Sequence, residues 1–323
     1  MKRRITLIIF FFLIITLISD QQLESIIRTF KELRHLIYLP GDYEKDTTAK
    51  WPVILFLHGA RERGNDLIKV KANGPPKLIG MGKKFPFIII SPQIRFDEFW
   101  DPDRLVKLLR ETAVKYRVDE DRIYLTGLSM GGYGTWYTAI KYPELFAAIA
   151  PVCGGGNPRQ AWKIRHTPVW IFHGAKDHTV PVSRSINMAG SLIQYDNMRF
   201  TIYPEAEHDS WTETYNNEDL YKWFLANKRF RFSQSEITGS LENYTGLFLS
   251  GKDAVTIFQG DNKLWIKFGE GNKKESLLIP GLNNTFFFDK NSLSEIKYYF
   301  DQNGKMTSFI FYNESQKTYF RVR

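Results

Sequence analysis

Ile123-Tyr124-Leu125-Thr126-Gly127-Leu128-Ser129-Met130-Gly131-Gly132-Tyr133-Gly134 runs from a short apolar, β-branched stretch through Gly-x-Ser-x-Gly into a segment patterned as a helix. Strand, tight turn and helix in that order lift a serine hydroxyl to the head of a helix. The glycines have a steric reason: the serine backbone is strained, and Gly127 and Gly131 allow strand and helix to approach without a Cβ clash. The helix start adds amides without intrahelical acceptors and the positive end of a dipole, where an oxyanion would form. The competing reading is a glycine-rich turn with an idle serine. The strand before it and the helix after it favour the functional one.

Outward from that turn, apolar runs alternate with helical patterns. His35 to Leu39 reads as a strand stopped by Pro40-Gly41, and Val53 to Leu57 as a strand buried on both faces. Phe87 to Ile90, Ala147 to Val152, Val169 to Phe172 and Phe200 to Tyr203 repeat the pattern. Residues 102 to 117 carry a helical stripe behind Asp101, a suitable N-cap, and Pro102, a suitable first residue. Residues 183 to 195 and 217 to 228 read as further helices. About 210 residues of this texture predict an α/β fold, a doubly wound and mostly parallel sheet with ligand chemistry at the strand ends. From residue 231 the helical stripes stop. Short runs separated by Gly, Asn, Asp and Lys turns predict a small all-β sandwich or barrel over 231–323, with hairpin tips at Gly260-Asp261-Asn262 and Gln302-Asn303-Gly304. That part contains no histidine and no cysteine, and no catalysis is expected of it.

A serine nucleophile needs a base. Of six histidines, only His166, His173, His178 and His208 follow Ser129, as the order Ser, acid, His on such sheets requires. His208 stands in a loop after the last strand and before the closing helix, and is the expected base. His173 ends a strand in His-Gly and reads as structural; His178 reads as a solvated loop residue. Asp177, straight after a buried strand, is the expected acid that holds the imidazole tautomer. The oxyanion donors are expected from the amides of Met130 and of Ala60, with Arg61 second for the latter. His58 reads as a loop brace. Trp211, Trp162 and Trp100 are candidates for an aromatic subsite, each also readable as packing.

Composition sets the bounds. The chain has 323 residues, 43% hydrophobic, 24% charged and 15% aromatic, with net charge +9. Without Lys2, Arg3 and Arg4 the charge is +6 (41 against 35), spread along the chain, with no basic run that argues for nucleic acid. Those three cations precede the apolar stretch Ile5 to Ile18, and together they predict an export leader over 1–19, with a retained N-terminal membrane anchor as the alternative. After cleavage of the leader no membrane span is expected. The single cysteine, Cys153, has no internal disulfide partner and reads as a small buried residue. No His/Cys cluster has metal-ligand spacing, and no metal or organic cofactor is expected. Nothing in the sequence indicates an oligomeric state.

The same residues carry a resemblance. His58-Gly59-Ala60-Arg61-Glu62-Arg63-Gly64, Gly74-Pro75-Pro76, Ser91-Pro92-Gln93, the stretch from Val118 to Gly134, Phe146 to Pro151, His173 to Asp177 and His208-Asp209-Ser210-Trp211 resemble exported α/β-hydrolases of the predicted-peptidase and phospholipase/carboxylesterase type. These are related to polyhydroxybutyrate depolymerases and feruloyl or acetylxylan esterases. The resemblance spans roughly residues 33 to 230 and implies Ser129, Asp177 and His208 as nucleophile, acid and base. Arg61 departs from the second glycine many relatives carry there. The tail is similar to β-rich domains appended to serine hydrolases of the β-lactamase type. The expectation is a serine carboxylesterase acting on small-molecule or carbohydrate esters, secreted or periplasmic. A serine peptidase on the same scaffold and a non-catalytic ligand-binding protein stand as alternatives.

Overall fold

The computed structural model describes residues 33–237, 239–269, 275–289 and 293–322; the leader expected over 1–19 lies outside them. The chain divides into two compact units, one ending at Arg229 and the other beginning at Phe230.

The first unit is built on a sheet in the order β1-β3-β2-β4-β5-β6-β7. Its strands are β1 (His35–Tyr38), β2 (Trp51–Leu57), β3 (Ile88–Pro92), β4 (Val118–Leu128), β5 (Ala148–Val152), β6 (Val169–Gly174) and β7 (Met198–Tyr203). β1 runs antiparallel to β3, and every other pairing in this sheet is parallel. The helices are α1 (Gly74–Gly80), α2 (Pro102–Lys115), α3 (Met130–Lys141), α4 (Ser183–Leu192), α5 (Trp211–Asn216) and α6 (Glu218–Ala226). Asp101 caps α2 as expected, its carboxylate accepting from the Asp103 amide.

The period-2 geometry of β2 explains its unbroken apolar run. Val53, Leu55 and Leu57 enter a core with Leu105 and Leu109 of α2, Trp136 and Ile140 of α3 and Met188 of α4. Ile54 and Phe56 enter a second core with Tyr124, Tyr215, Leu220 and Phe224. Helices therefore cover both faces, and the functional residues are left to the loops at the strand ends.

The second unit resolves the sandwich-or-barrel alternative in favour of a barrel. β8 (Gly246–Ser250), β9 (Asp253–Gly260), β10 (Lys263–Phe268), β11 (Glu275–Gly281), β12 (Thr285–Phe287), β13 (Glu295–Phe300), β14 (Met306–Tyr312) and β15 (Gln316–Arg321) pair antiparallel with their sequence neighbours. β15 returns to β8 and closes the ring. Phe248, Val255, Ile257, Leu264, Ile266 and Phe286 are among the side chains that fill the interior. At the expected hairpin tip, Asp261 and Asn262 both take positive φ (49° and 59°), as a two-residue turn of the twisted type demands. β11 is a strand that apolar patterning alone did not mark. Pro280 interrupts its signal, yet Pro280 pairs with Phe286 and its carbonyl accepts from the Ser235 amide.

Candidate active site

Ser129 sits between β4 and α3 with φ 53° and ψ −116°, outside the ordinary regions for an L-residue. Steric crowding requires its glycine neighbours. A Cβ on Gly127 would stand 2.5 Å from the Gly131 carbonyl oxygen, and one on Gly131 would stand 2.6 Å from the Leu57 carbonyl carbon and closer still to its oxygen. The turn is pinned by the Ser129 amide donating to the Val152 carbonyl at 2.9 Å and by the Tyr133 amide donating to the Ser129 carbonyl at 3.1 Å.

Two side chains far away in sequence meet this hydroxyl. His208 Nε2 lies 2.9 Å from Ser129 Oγ, and His208 Nδ1 lies 2.7 Å from Asp177 Oδ2. With Nδ1–H donated to a carboxylate, Nε2 is left as the acceptor for the serine proton. Asp177 is buried and already held: its Oδ1 accepts from the Thr179 and Val180 amides at 2.9 and 2.8 Å. His173, completely buried, faces the same carboxylate at 3.3 Å and donates from Nε2 to the Val180 carbonyl at 2.8 Å. Burial lowers its pKa, so it stays neutral and braces the loop, as expected of it. Gly174 admits the histidine loop: a Cβ there would overlap the Glu207 and Ala206 carbonyls.

Met130 opens α3, so its amide has no acceptor within the helix, and Ala60 opens a short 3-10 turn, Ala60–Glu62, after β2. His58 braces that loop. It is buried, its Nδ1 donates to the Gly59 carbonyl at 2.6 Å, and its Nε2 accepts from the Ile94 amide at 3.3 Å. Burial lowers its pKa to about 4.

A cleft of about 430 Å³ opens at Ser129, lined by Phe99, Trp100, Met130, Gly134, Tyr133 and Tyr137. Phe99 and Tyr137 are exposed on its rim. Sequence reasoning missed Phe99, Tyr133 and Tyr137, although the last two carry a readable signal. They lie four residues apart on α3, the first of them four past Ser129, and so share one face of that helix. Trp100 is among the lining residues. Trp162 is not: it lies in the 3-10 turn Pro158–Ile164, with Lys163 and Arg165 over its ring at 5.9 Å each. Trp211 stands against the His208 imidazole, ring centroids 5.2 Å apart and planes at 87°.

Cys153, Asp177 and His208 bring their sulfur, oxygen and nitrogen atoms within 4.8 Å of one another. They make a poor metal site. Burial pushes the Cys153 thiol up to about 12, so it is neutral, and the carboxylate and imidazole already satisfy each other.

Residues 71–219 match the phospholipase/carboxylesterase family. Over 124 residues the chain is 45% identical to poly(3-hydroxyalkanoate) depolymerase C of Paucimonas lemoignei, covering 33% of this chain and 28% of that protein. Over 144 residues it is 27% identical to a bifunctional acetylxylan esterase/xylanase of Neocallimastix patriciarum, covering 43% of this chain and 20% of that protein. The chain thus spans 28% or less of the length of these curated relatives. Among solved structures, a thermostable esterase superposes with a TM-score of 0.53 at 31% identity, covering 60% of this chain and 59% of that one. Sheet order, strand-end placement and these likenesses agree: the unit that ends at Arg229 has the α/β-hydrolase fold, and residues 71–219 within it are similar to the phospholipase/carboxylesterase family.

Proposed function

We propose that this chain hydrolyses carboxylic esters through a Ser129–His208–Asp177 triad. The observation that carries the reading is the unbroken line from Ser129 Oγ through both nitrogens of His208 to Asp177, at 2.9 and 2.7 Å. His208 Nε2 takes the hydroxyl proton as Ser129 Oγ attacks the ester carbonyl. The carbonyl oxygen, now negative, is met by the amides of Met130 and Ala60. His208 returns the proton to the departing alcohol and leaves an acyl-enzyme. Water, deprotonated by the same imidazole, then releases the acid and restores Ser129. Asp177 holds Nδ1 of His208 and stabilises the imidazolium.

The substrates are small-molecule or carbohydrate esters, with no nucleic-acid partner. The basic and apolar N-terminal stretch supports export to the periplasm or beyond, and the barrel unit serves as an accessory domain. The test uses p-nitrophenyl acetate and a fluorophosphonate probe. The wild-type protein is expected to turn over the ester and take the label at Ser129. Ser129→Ala is expected to lose both, with turnover falling by on the order of 10⁴ or more. Wild-type turnover by Ser129→Ala would overturn the assignment, and faster cleavage of peptide amides than of esters would move it to a peptidase.

A further inference from the structure

A chain of three side chains reaches His208 from the loop that carries Ala60. Glu62, two residues past Ala60, is buried. Its Oε1 accepts from Asn73 Nδ2 at 2.7 Å. Asn73 Oδ1 accepts from Trp211 Nε1 at 3.1 Å, and the Trp211 ring stands edge-to-face with His208 at 5.2 Å. The amide orientation of Asn73 is dictated at both ends. An indole N–H can only donate and a carboxylate can only accept, so one orientation alone satisfies both partners.

Each link is itself held. Gln93 Nε2 donates to the Glu62 carbonyl at 2.7 Å. Asn73 is placed by the turn at Gly74, which has φ +65° and Cα packed so tightly on the Phe56 ring that a Cβ would stand 2.5 Å from its Cζ and closer still to its Cε2. The second oxygen of Glu62 is buried with no hydrogen-bond partner among the described residues. A half-satisfied buried carboxylate costs stability, so packing alone gives no reason for it at this position. The bond that its other oxygen accepts from Asn73 at 2.7 Å does give a reason.

We infer that Glu62, Asn73 and Trp211 are positioning residues that fix the His208 imidazole from outside the triad and tie its placement to the loop bearing the Ala60 amide. Asp177 controls the imidazole through Nδ1, and the Trp211 ring limits its swing. The chemical part of this inference rests on the esterase reading above.

The test therefore has one readout that needs no turnover. In protein carrying ¹³C-labelled histidine, the Cε1–H resonance of His208, identified by its loss in His208→Gln, reports the nearby indole ring current. Trp211→Leu is expected to shift it. Asn73→Ala, Trp211→Phe and Glu62→Ala are expected to shift it as well, while Glu62→Gln, which keeps an acceptor for Asn73, leaves it in place. On p-nitrophenyl acetate, Asn73→Ala is expected to lower kcat about ten-fold with KM within two-fold. Asn73→Ala/Trp211→Leu is expected to be no slower than Trp211→Leu alone, since both cut one chain. A wild-type resonance and wild-type kcat in Asn73→Ala, or multiplied losses in the double variant, overturn the inference. Resonance shifts as described in a protein that hydrolyses no ester would leave the brace standing and remove the esterase reading instead.

Discussion

Gly131 lies so close to Leu57 that its missing side chain is a structural requirement: a Cβ would stand 2.6 Å from the Leu57 carbonyl carbon and 2.8 Å from the His58 carbonyl oxygen. The contact joins the start of α3 to the end of β2, and through it the loops bearing Ser129 and Ala60. The obstacle is backbone on both sides, which cannot rotate away as a side-chain tip can. Gly131→Ala is expected to cost stability by about 1–3 kcal/mol or more and to lower kcat/KM by at least ten-fold. Gly190→Ala, in α4 where a Cβ meets nothing within 4 Å, serves as the control and is expected to leave ester kinetics unchanged and stability equal or higher by up to about 1 kcal/mol. Thermal unfolding and ester kinetics on the two variants check it.

His58 supplies a pH dependence whose sign follows from its surroundings. Burial lowers its pKa from 6.5 to about 4, so the unfolded chain takes up the proton before the folded one does. The contribution is present above pH 6.5 and is lost as pH falls from 6.5 toward 4. At about 1.4 kcal/mol per pH unit it amounts to about 3 kcal/mol. In His58→Asn, which keeps a donor for the Gly59 carbonyl, the fall in melting temperature across that window is expected to be distinctly shallower. Parallel slopes for the two proteins would exclude His58 as the titrating group.

The cleft at Ser129 is lined by Tyr133, Tyr137 and Phe99 but not by His208. Because the imidazole must reach the leaving oxygen, this side is where the acyl chain would rest. Phe99→Ala and Tyr137→Ala are each expected to reduce kcat/KM for a p-nitrophenyl ester with a bulky apolar acyl chain about ten-fold more than for the acetate. That matches about 1.4 kcal/mol of lost apolar contact. Equal losses on both esters would place the acyl chain elsewhere.

Cys153 sits beside the triad at φ 39°, fully buried, with its thiol pushed up to about 12. At pH 8 it is expected to resist iodoacetamide in the folded protein and to react once the chain is unfolded in guanidinium, as read by mass spectrometry. Rapid labelling of folded protein accompanied by loss of ester turnover would contradict the burial.

Much of this site was legible because each part obeys a local rule. Ser129 is marked by glycines that a crowded turn demands, and Asp177 and His208 are marked by standing just past apolar strand runs. The barrel was legible as alternation, and only closure distinguished it from a sandwich. Closure depends on β15 finding β8, which no local pattern encodes. Pro280 hid β11 because a missing donor usually argues against a strand. Asn73 and Glu62 left no local signal at all: their meaning comes from Trp211, 138 residues beyond Asn73 in the chain. Trp162, picked for its residue type alone, lies away from the cleft lining, since aromaticity does not say which way a ring faces.

The ring of β8 to β15 joins its first strand to its last. Every strand is then shielded on both flanks, yet the shield is complete only after Gln316–Arg321 has been made and has docked. A message cut short before that point would yield two raw ladders, on β14 and on β8, each free to recruit a neighbouring molecule. Loss of a few C-terminal residues is thus expected to appear first as clumping during synthesis, before any change at Ser129.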